Sequence, residues 1–196
     1  MKGMLKIVLV IGVISMVTFY GCSGNMKYER YSSKDTELNV TMDYISGWMF
    51  SESRGAKGSY AQVTFYEPER KDKSIKAGIV FMVQESAQLK LQTLNIEAFA
   101  DDLLEKRKKL QDMKVLSRAK AQALGHDAVT FVISYRMLDK FYRMDAQLAP
   151  IQEKIVLVKI NDKFYTIRYQ NVDKEFSRFN KAFDHIVKTI NFKNSK

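Results

Sequence analysis

The residues of this chain that could do chemistry are two imidazoles, one thiol and a few clustered charges. A serine nucleophile needs a base and an orienting acid. His126 and His185 are the only imidazoles that could serve. The chain has no GxSxG elbow, no HxxxH or HExxH spacing, and no Walker-type or GxGxxG loop. A metal site needs several clustered ligands, and no thiol follows Cys22. His126 follows Gly125 in a predicted turn and reads as a loop residue. His185, between Asp184 and Ile186, falls off the apolar stripe of its segment and reads as a helix-surface residue. Asp101 and Asp102 would point about 100° apart on a helix, so they do not converge on a substrate. The run Glu105 to Lys109 reads as a solvated helix face rather than an anion site. Asp102 stands four residues before Lys106, and Glu105 four before Lys109, the favourable order for helix ion pairs. Acids crowd the first half of this segment and bases the second, as the helix dipole favours. The expectation is a protein that is not an enzyme, with no catalytic residues, no metal and no cofactor.

The thiol has a different explanation. Lys2 and Lys6 form a positive leader, Ile7 to Phe19 is uncharged and mostly apolar, and small Gly21 precedes Cys22. This is the layout of a secretory signal peptide. The run falls short of the roughly 20 apolar residues of a spanning helix. "FYGC" resembles a bacterial lipobox, with Phe19 where leucine is usual. The resemblance implies cleavage between Gly21 and Cys22 and acylation of Cys22, palmitate included. Because one acyl chain binds membranes only marginally, two or three would make the anchor stable. The expected organisation is a lipoprotein signal peptide over 1–21, a short tether over 22–27 and a single domain over 28–196. A non-acidic Ser23 resembles the outer-membrane address of diderm lipoproteins. The expected location is the cell envelope: the periplasmic side of the outer membrane in a diderm, otherwise the outer face of the cytoplasmic membrane.

Charge is then read in that compartment. The chain has a formal net charge of +10, and removing Lys2 and Lys6 leaves +8. Nucleic acid is not an expected partner of an exported, tethered protein. The polyanions available there are phospholipid headgroups, other envelope polymers and acidic proteins, and a positive charge spread evenly for solubility is an equal reading. Five tether residues, Ser23 to Lys27, reach at most roughly 18 Å. The domain would sit close to the bilayer, where each basic residue near an anionic surface contributes about 1 kcal/mol. With no disulfide available, the domain must hold together by its core.

The elements follow from periodicity. Leu38 to Met42 alternates. Ala61, Val63 and Phe65 share one face of a strand over Tyr60 to Tyr66. Ile75 to Gln84 contains an apolar run, Ile79 to Val83, expected to be buried on both faces. Val129, Phe131, Ile133, Tyr135 and Met137 point one way. Ile155 to Ile160 and Phe164 to Tyr169 make a hairpin around Asn161-Asp162. A helix is predicted over Asn95 to Met113, capped by Asn95 and striped by Ile96, Phe99, Leu103 and Leu110. A second starts at an Asp173 cap and carries Phe176, Phe179, Phe183, Ile186 and Ile190 on one face. Phe164 is expected beneath this second helix, with Arg168 at its rim. Phe141, Tyr142 and Arg143 interleave aromatic and basic character in a predicted loop. They form the candidate interface, since aromatics and arginine are enriched where proteins meet. The fold class is α+β, a mainly antiparallel sheet between helical layers, an α/β/α sandwich.

The order of these segments resembles the PsbP-like (DcrB-like) family. The resemblance rests on "YISGW" (Tyr44 to Trp48), "LGHDAVTFVISY", "KFYTIRYQ" and the closing "FNKAFDHIVKTINF", and spans about residues 28 to 192. It implies a fold and an accessory role on an envelope protein complex, and brings no catalytic motif. A small-ligand or lipid-binding module of the envelope is the alternative, and a hydrolase built on one of the two histidines comes third.

Overall fold

Alternation of apolar and polar residues makes the sheet, and two amphipathic segments cover it. The computed structural model describes residues 26–68, 75–89, 95–138 and 147–193. Strands β1 (Tyr28–Ser32), β2 (Val40–Ile45), β3 (Met49–Arg54), β4 (Ala61–Tyr66) and β5 (Gly78–Glu85) precede helix α1 (Ile96–Arg107). Then come β6 (Gln111–Ala123), β7 (His126–Leu138), β8 (Leu148–Ile160), β9 (Lys163–Val172), helix α2 (Phe176–Thr189) and β10 (Asn191–Phe192). The main sheet has seven strands in the order β3-β4-β5-β9-β8-β7-β6, and a small one has the order β1-β2-β10. Every neighbouring pair is antiparallel.

The main sheet carries a core on each face. On one face Phe65, Phe81, Ile167 and Tyr169 pack with Phe179, Phe183 and Ile186 of α2 and with Val40 and Met42 of the small sheet. On the other, Phe131, Ile133, Ile155 and Phe164 pack with Phe99 and Ala100 of α1. The architecture is therefore the expected helix-sheet-helix sandwich, with one outer layer shared between α2 and the small sheet.

Several expectations change in detail. The first helix ends at Arg107, where a turn begins in which Leu110 N donates to the Arg107 carbonyl at 2.9 Å. Gln111 to Met113 already belong to β6, because that stretch is drawn into pairing with β7. The Asn95 cap is present: its side chain accepts from Ala98 N at 2.7 Å. Asp173 is not a cap. It opens a 3-10 turn, Asp173–Glu175, before α2, and its carboxylate accepts from the Gln152 side chain. In β5, Ile79, Phe81 and Val83 are buried but Val80 and Met82 are only half-buried. The reason is where α1 lies, against β7 and β8 and over Phe164 of β9, leaving that face of β5 partly open. The stretches buried on both faces are Phe164 to Ile167 of β9, at the sheet's centre, and Ile155 to Val158 of its neighbour β8. Phe164 is buried as expected, but beneath α1 rather than α2: its ring lies 4.6 Å from that of Phe99.

Two turns require special backbone. In "YISGW", Trp48 N donates to the Ile45 carbonyl at 3.0 Å and Gly47 takes φ +79°. A positive φ at the third position alone marks a type II turn, where glycine carries no steric cost. Between β6 and β7 both Leu124 (φ 55°) and Gly125 (φ 77°) are left-handed, the twist-matched geometry of a two-residue hairpin. Leucine is a costly residue there. Its side chain packs on the first core, which offsets the strain.

Phe183 is fully buried and faces Tyr169 at 5.9 Å. Phe183→Ala should destabilise the domain by about 3–5 kcal/mol. A lowered denaturant midpoint with an unchanged slope would show it.

Candidate functional site

Three places gather polar or reactive groups. The first lies under α1. Glu153 on β8 has a fully buried side chain. Arg107, in the last turn of α1, donates to Oε1 at 3.1 Å, and its other terminal nitrogen lies 2.8 Å from Oε2. The second contact is off the line of a hydrogen bond, so it acts as charge attraction. Arg168 on β9 donates to Oε1 at 3.3 Å. Tyr135 accepts from Arg107, and its phenol is pushed up to about 12 by burial first and by the Glu153 charge second. Three charges that share their hydrogen bonds this way read as a device that fixes α1 on the sheet.

The second place joins α2 to the small sheet. Asp43 accepts from Arg30 at 2.9 Å, and His185 Nε2 lies 3.0 Å from its other oxygen. The His185 ring also sits 4.1 Å from that of Tyr28. Burial raises the Asp43 carboxyl, but the Arg30 guanidinium and His185 outweigh it and hold the group below the usual carboxylate range. Nearby, Glu29 accepts from the Tyr44 and Ser46 hydroxyls at 2.6 Å each and closes the "YISGW" turn. Those two hydrogen bonds, the Ser46 one first, lower its carboxyl.

The third place is a groove of about 780 Å³ along the β6 side of α2. Small residues of β6 and β7, among them Ala121, Ala123 and Thr130, make its floor. Val187, Ile190 and Phe192 make the wall towards α2 and β10, and Lys154 and Lys188 stand among them. Two smaller grooves, about 470 and 370 Å³, lie on the opposite face of β6, beside α1. Three grooves therefore border one edge strand.

The sequence candidates fall unevenly on this map. His126 is exposed at the start of β7. His185 is off the apolar stripe, as expected, but it is engaged by Asp43 and Tyr28 rather than free on the surface. Asp102 pairs with Lys106 at 2.6 Å, whereas Glu105 pairs with Lys108 instead of Lys109. Gly21 and Cys22, and the candidate interface of Phe141, Tyr142 and Arg143, lie outside the described residues. Among the described residues no helix is long and apolar enough to cross a membrane. Among them, too, no cluster of three or more His, Cys, Asp or Glu could hold a metal ion. Sequence reading missed the Glu153 triad and the grooves. The signal for Glu153 is its phase: it sits on the same face as Ile155 and Leu157, a charge at a core position. The signal for the main groove is the alternation of alanines at 119, 121 and 123.

Two outcomes follow. Glu153→Gln leaves two arginines without their counter-charge, and should cost about 3–5 kcal/mol, the range for a broken buried pair. Chemical denaturation at neutral pH would measure it. Asp43 is held low in the folded state, so its contribution is complete above the unfolded value of about 4 and fades as pH falls through the lower folded value. Asp43→Asn should therefore lower stability at neutral pH and leave a flatter acid limb in a plot of denaturation midpoint against pH.

No family model matches this chain, and no curated protein is significantly similar to it in sequence. Solved structures do match. The cyanobacterial PsbP protein CyanoP of Synechocystis is 14% identical with a TM-score of 0.55, over 88% of this chain and 96% of that one. The Ran-binding protein Mog1p of Saccharomyces cerevisiae is 10% identical with a TM-score of 0.52, over 87% and 97%. A Pseudomonas aeruginosa protein of unknown function is 13% identical with a TM-score of 0.50, over 80% and 91%. At these identities the likeness is one of architecture, and the architecture of this chain is the PsbP/Mog1-like one.

Proposed function

We propose that this protein is an envelope lipoprotein, held to the membrane through acylated Cys22, that serves as a non-catalytic accessory or binding subunit of an envelope protein complex. The observation that carries the reading is where the fold takes hold of the backbone. The Lys27 carbonyl already accepts from Ser46 N at 2.9 Å, and β1 starts at Tyr28. Only a handful of residues separate that bond from Cys22, so a lipid on the cysteine would keep the domain within roughly 20 Å of the bilayer. A domain so placed meets membrane-embedded partners readily and soluble ones rarely. His185 spends one ring nitrogen on Asp43 and a ring face on Tyr28, which supports a structural role over a catalytic one. A second reading, a small-ligand or lipid-binding module, is favoured by the main groove, whose volume is in the range of ligand sites.

Crosslinked co-purification from membranes, with wild type beside Cys22→Ala, tests the reading. Wild type should fractionate with membranes, carry the added acyl mass and bring down a discrete envelope protein, and the variant should lose all three. Lipidated protein that comes down alone would defeat the accessory role and turn attention to the groove.

A further inference from the structure

The two edges of the main sheet are treated differently. At one edge, β3 is short, and the loop after β1 is fastened to it. Glu52 accepts from Tyr31 and from the backbone of Lys34 and Asp35, and Arg54 bonds Asp35. At the other edge, β6 runs from Gln111 to Ala123 and, among the described residues, pairs with β7 alone. An unpaired strand edge is a row of open donors and acceptors, a template for another strand, and proteins blunt such edges with bulges, lysines or covering elements. Here the irregularities lie between Gln111 and Ser117. From Ser117 to Ala123 the register with β7 is unbroken. That regular half is bordered on both faces by grooves. The large one opens beside Ala121 and Ala123, and a smaller one beside Lys120 and Gln122.

A strand laid against this half would send alternate side chains to opposite faces. One set would reach the large groove, whose floor includes Ala121, Ala123 and Thr130 and whose wall mixes apolar Val187, Ile190 and Phe192 with Lys188 and the Lys154–Asp184 pair. Charge selects the occupant further. Lys114 and Lys188 have no charged partner among the described residues, and the nearest acid to Lys120 is Glu97 at 3.9 Å, with Lys120 88% exposed. A second copy of β6 would set Lys114, Lys120 and their equivalents against one another, and like charges across a strand pair are unfavourable, whereas Arg118 is already answered by Glu97 and Asp101 at 2.6 Å each. An acidic segment would not meet that cost.

We propose that the Ser117–Ala123 edge of β6 is a strand-addition site for an extended, acidic segment of a partner protein, with apolar residues at every second position seated in the groove between β6 and α2. Main-chain hydrogen bonds would supply affinity and the grooves would supply selectivity. This rests on the accessory reading above and names the surface that would serve it.

The test uses the full chain in detergent micelles and two synthetic peptides of about eight residues. In one, glutamate alternates with valine or isoleucine; in the other, the same residues are grouped in two blocks. The alternating peptide should slow amide exchange within Ser117–Ala123 and bind at least about tenfold more tightly than the blocked one. Ala121→Glu, which fills the groove and adds repulsion, and Lys120→Glu should each weaken it about tenfold, with melting temperatures checked for both. Equal binding of the two peptides, protection elsewhere, or insensitivity to both variants would overturn the proposal. So would palmitate, added alone, protecting the same amides while the peptide does not, since the groove would then be a lipid site. Should the peptide fail while an envelope protein still co-purifies with wild type, the edge assignment falls and the accessory reading stands.

Discussion

A carboxylate with no access to water has to be answered by cations, and the face of the sheet under α1 is arranged around that requirement. Glu153 is fully buried, and its oxygens meet Arg107 from the helix and Arg168 from the neighbouring strand. Neither arginine is itself fully buried. Such a triad is not worth much as net stability, because desolvation consumes most of the attraction. It is worth more as a constraint. The end of α1 can dock in one place only. The chain leaves Arg107 through a tight turn straight into β6, so the triad also sets where that edge strand begins.

From there the rest of the surface follows. α1 lies over β7, β8 and Phe164 of β9 and touches β6 through the ion pairs of Glu97 and Asp101 with Arg118, while α2 lies over β9 and β2. The outer strand β6 is thus less covered than the centre of the sheet. Small residues on β6 and β7 leave space on the α2 side, which is why a groove opens there. The strain at Leu124 belongs to the same corner. A left-handed leucine at the hairpin tip places an apolar side chain where it closes the groove's end and touches the first core.

Much of this was legible in the residues. Alternation found the faces of β4 and β7 because each has one buried and one wetter side, and period-2 patterns are strong there. The C-terminal helix was legible from its phenylalanines, whose spacing leaves no second interpretation. What the sequence concealed has physical causes too. β6 is exposed along nearly its whole length, so it carries no hydrophobic pattern to read, and its first residues were absorbed into the α1 period. Which helix covers Phe164 is a matter of tertiary placement, which no local period encodes. The triad is assembled from β8, β9 and α1, and charges far apart in sequence look like surface charges until a fold brings them together. The floor of the groove includes two alanines and a threonine, residue types that declare little about themselves.

The small sheet carries a consequence for how the molecule is made. β2 lies between β1, near the beginning of the described chain, and β10, near its end, with Thr41 opposite Asn191. Lys193 N then reaches back to the Asn39 carbonyl at 2.9 Å. The middle strand of that layer keeps an open flank until Asn191 and Phe192 pair with it. Contacts between distant parts of a chain are slow to form, since the loop entropy is spent before they return anything. The small sheet thus closes only when residues 150 positions apart in the chain meet, which makes it a late-forming layer of the fold.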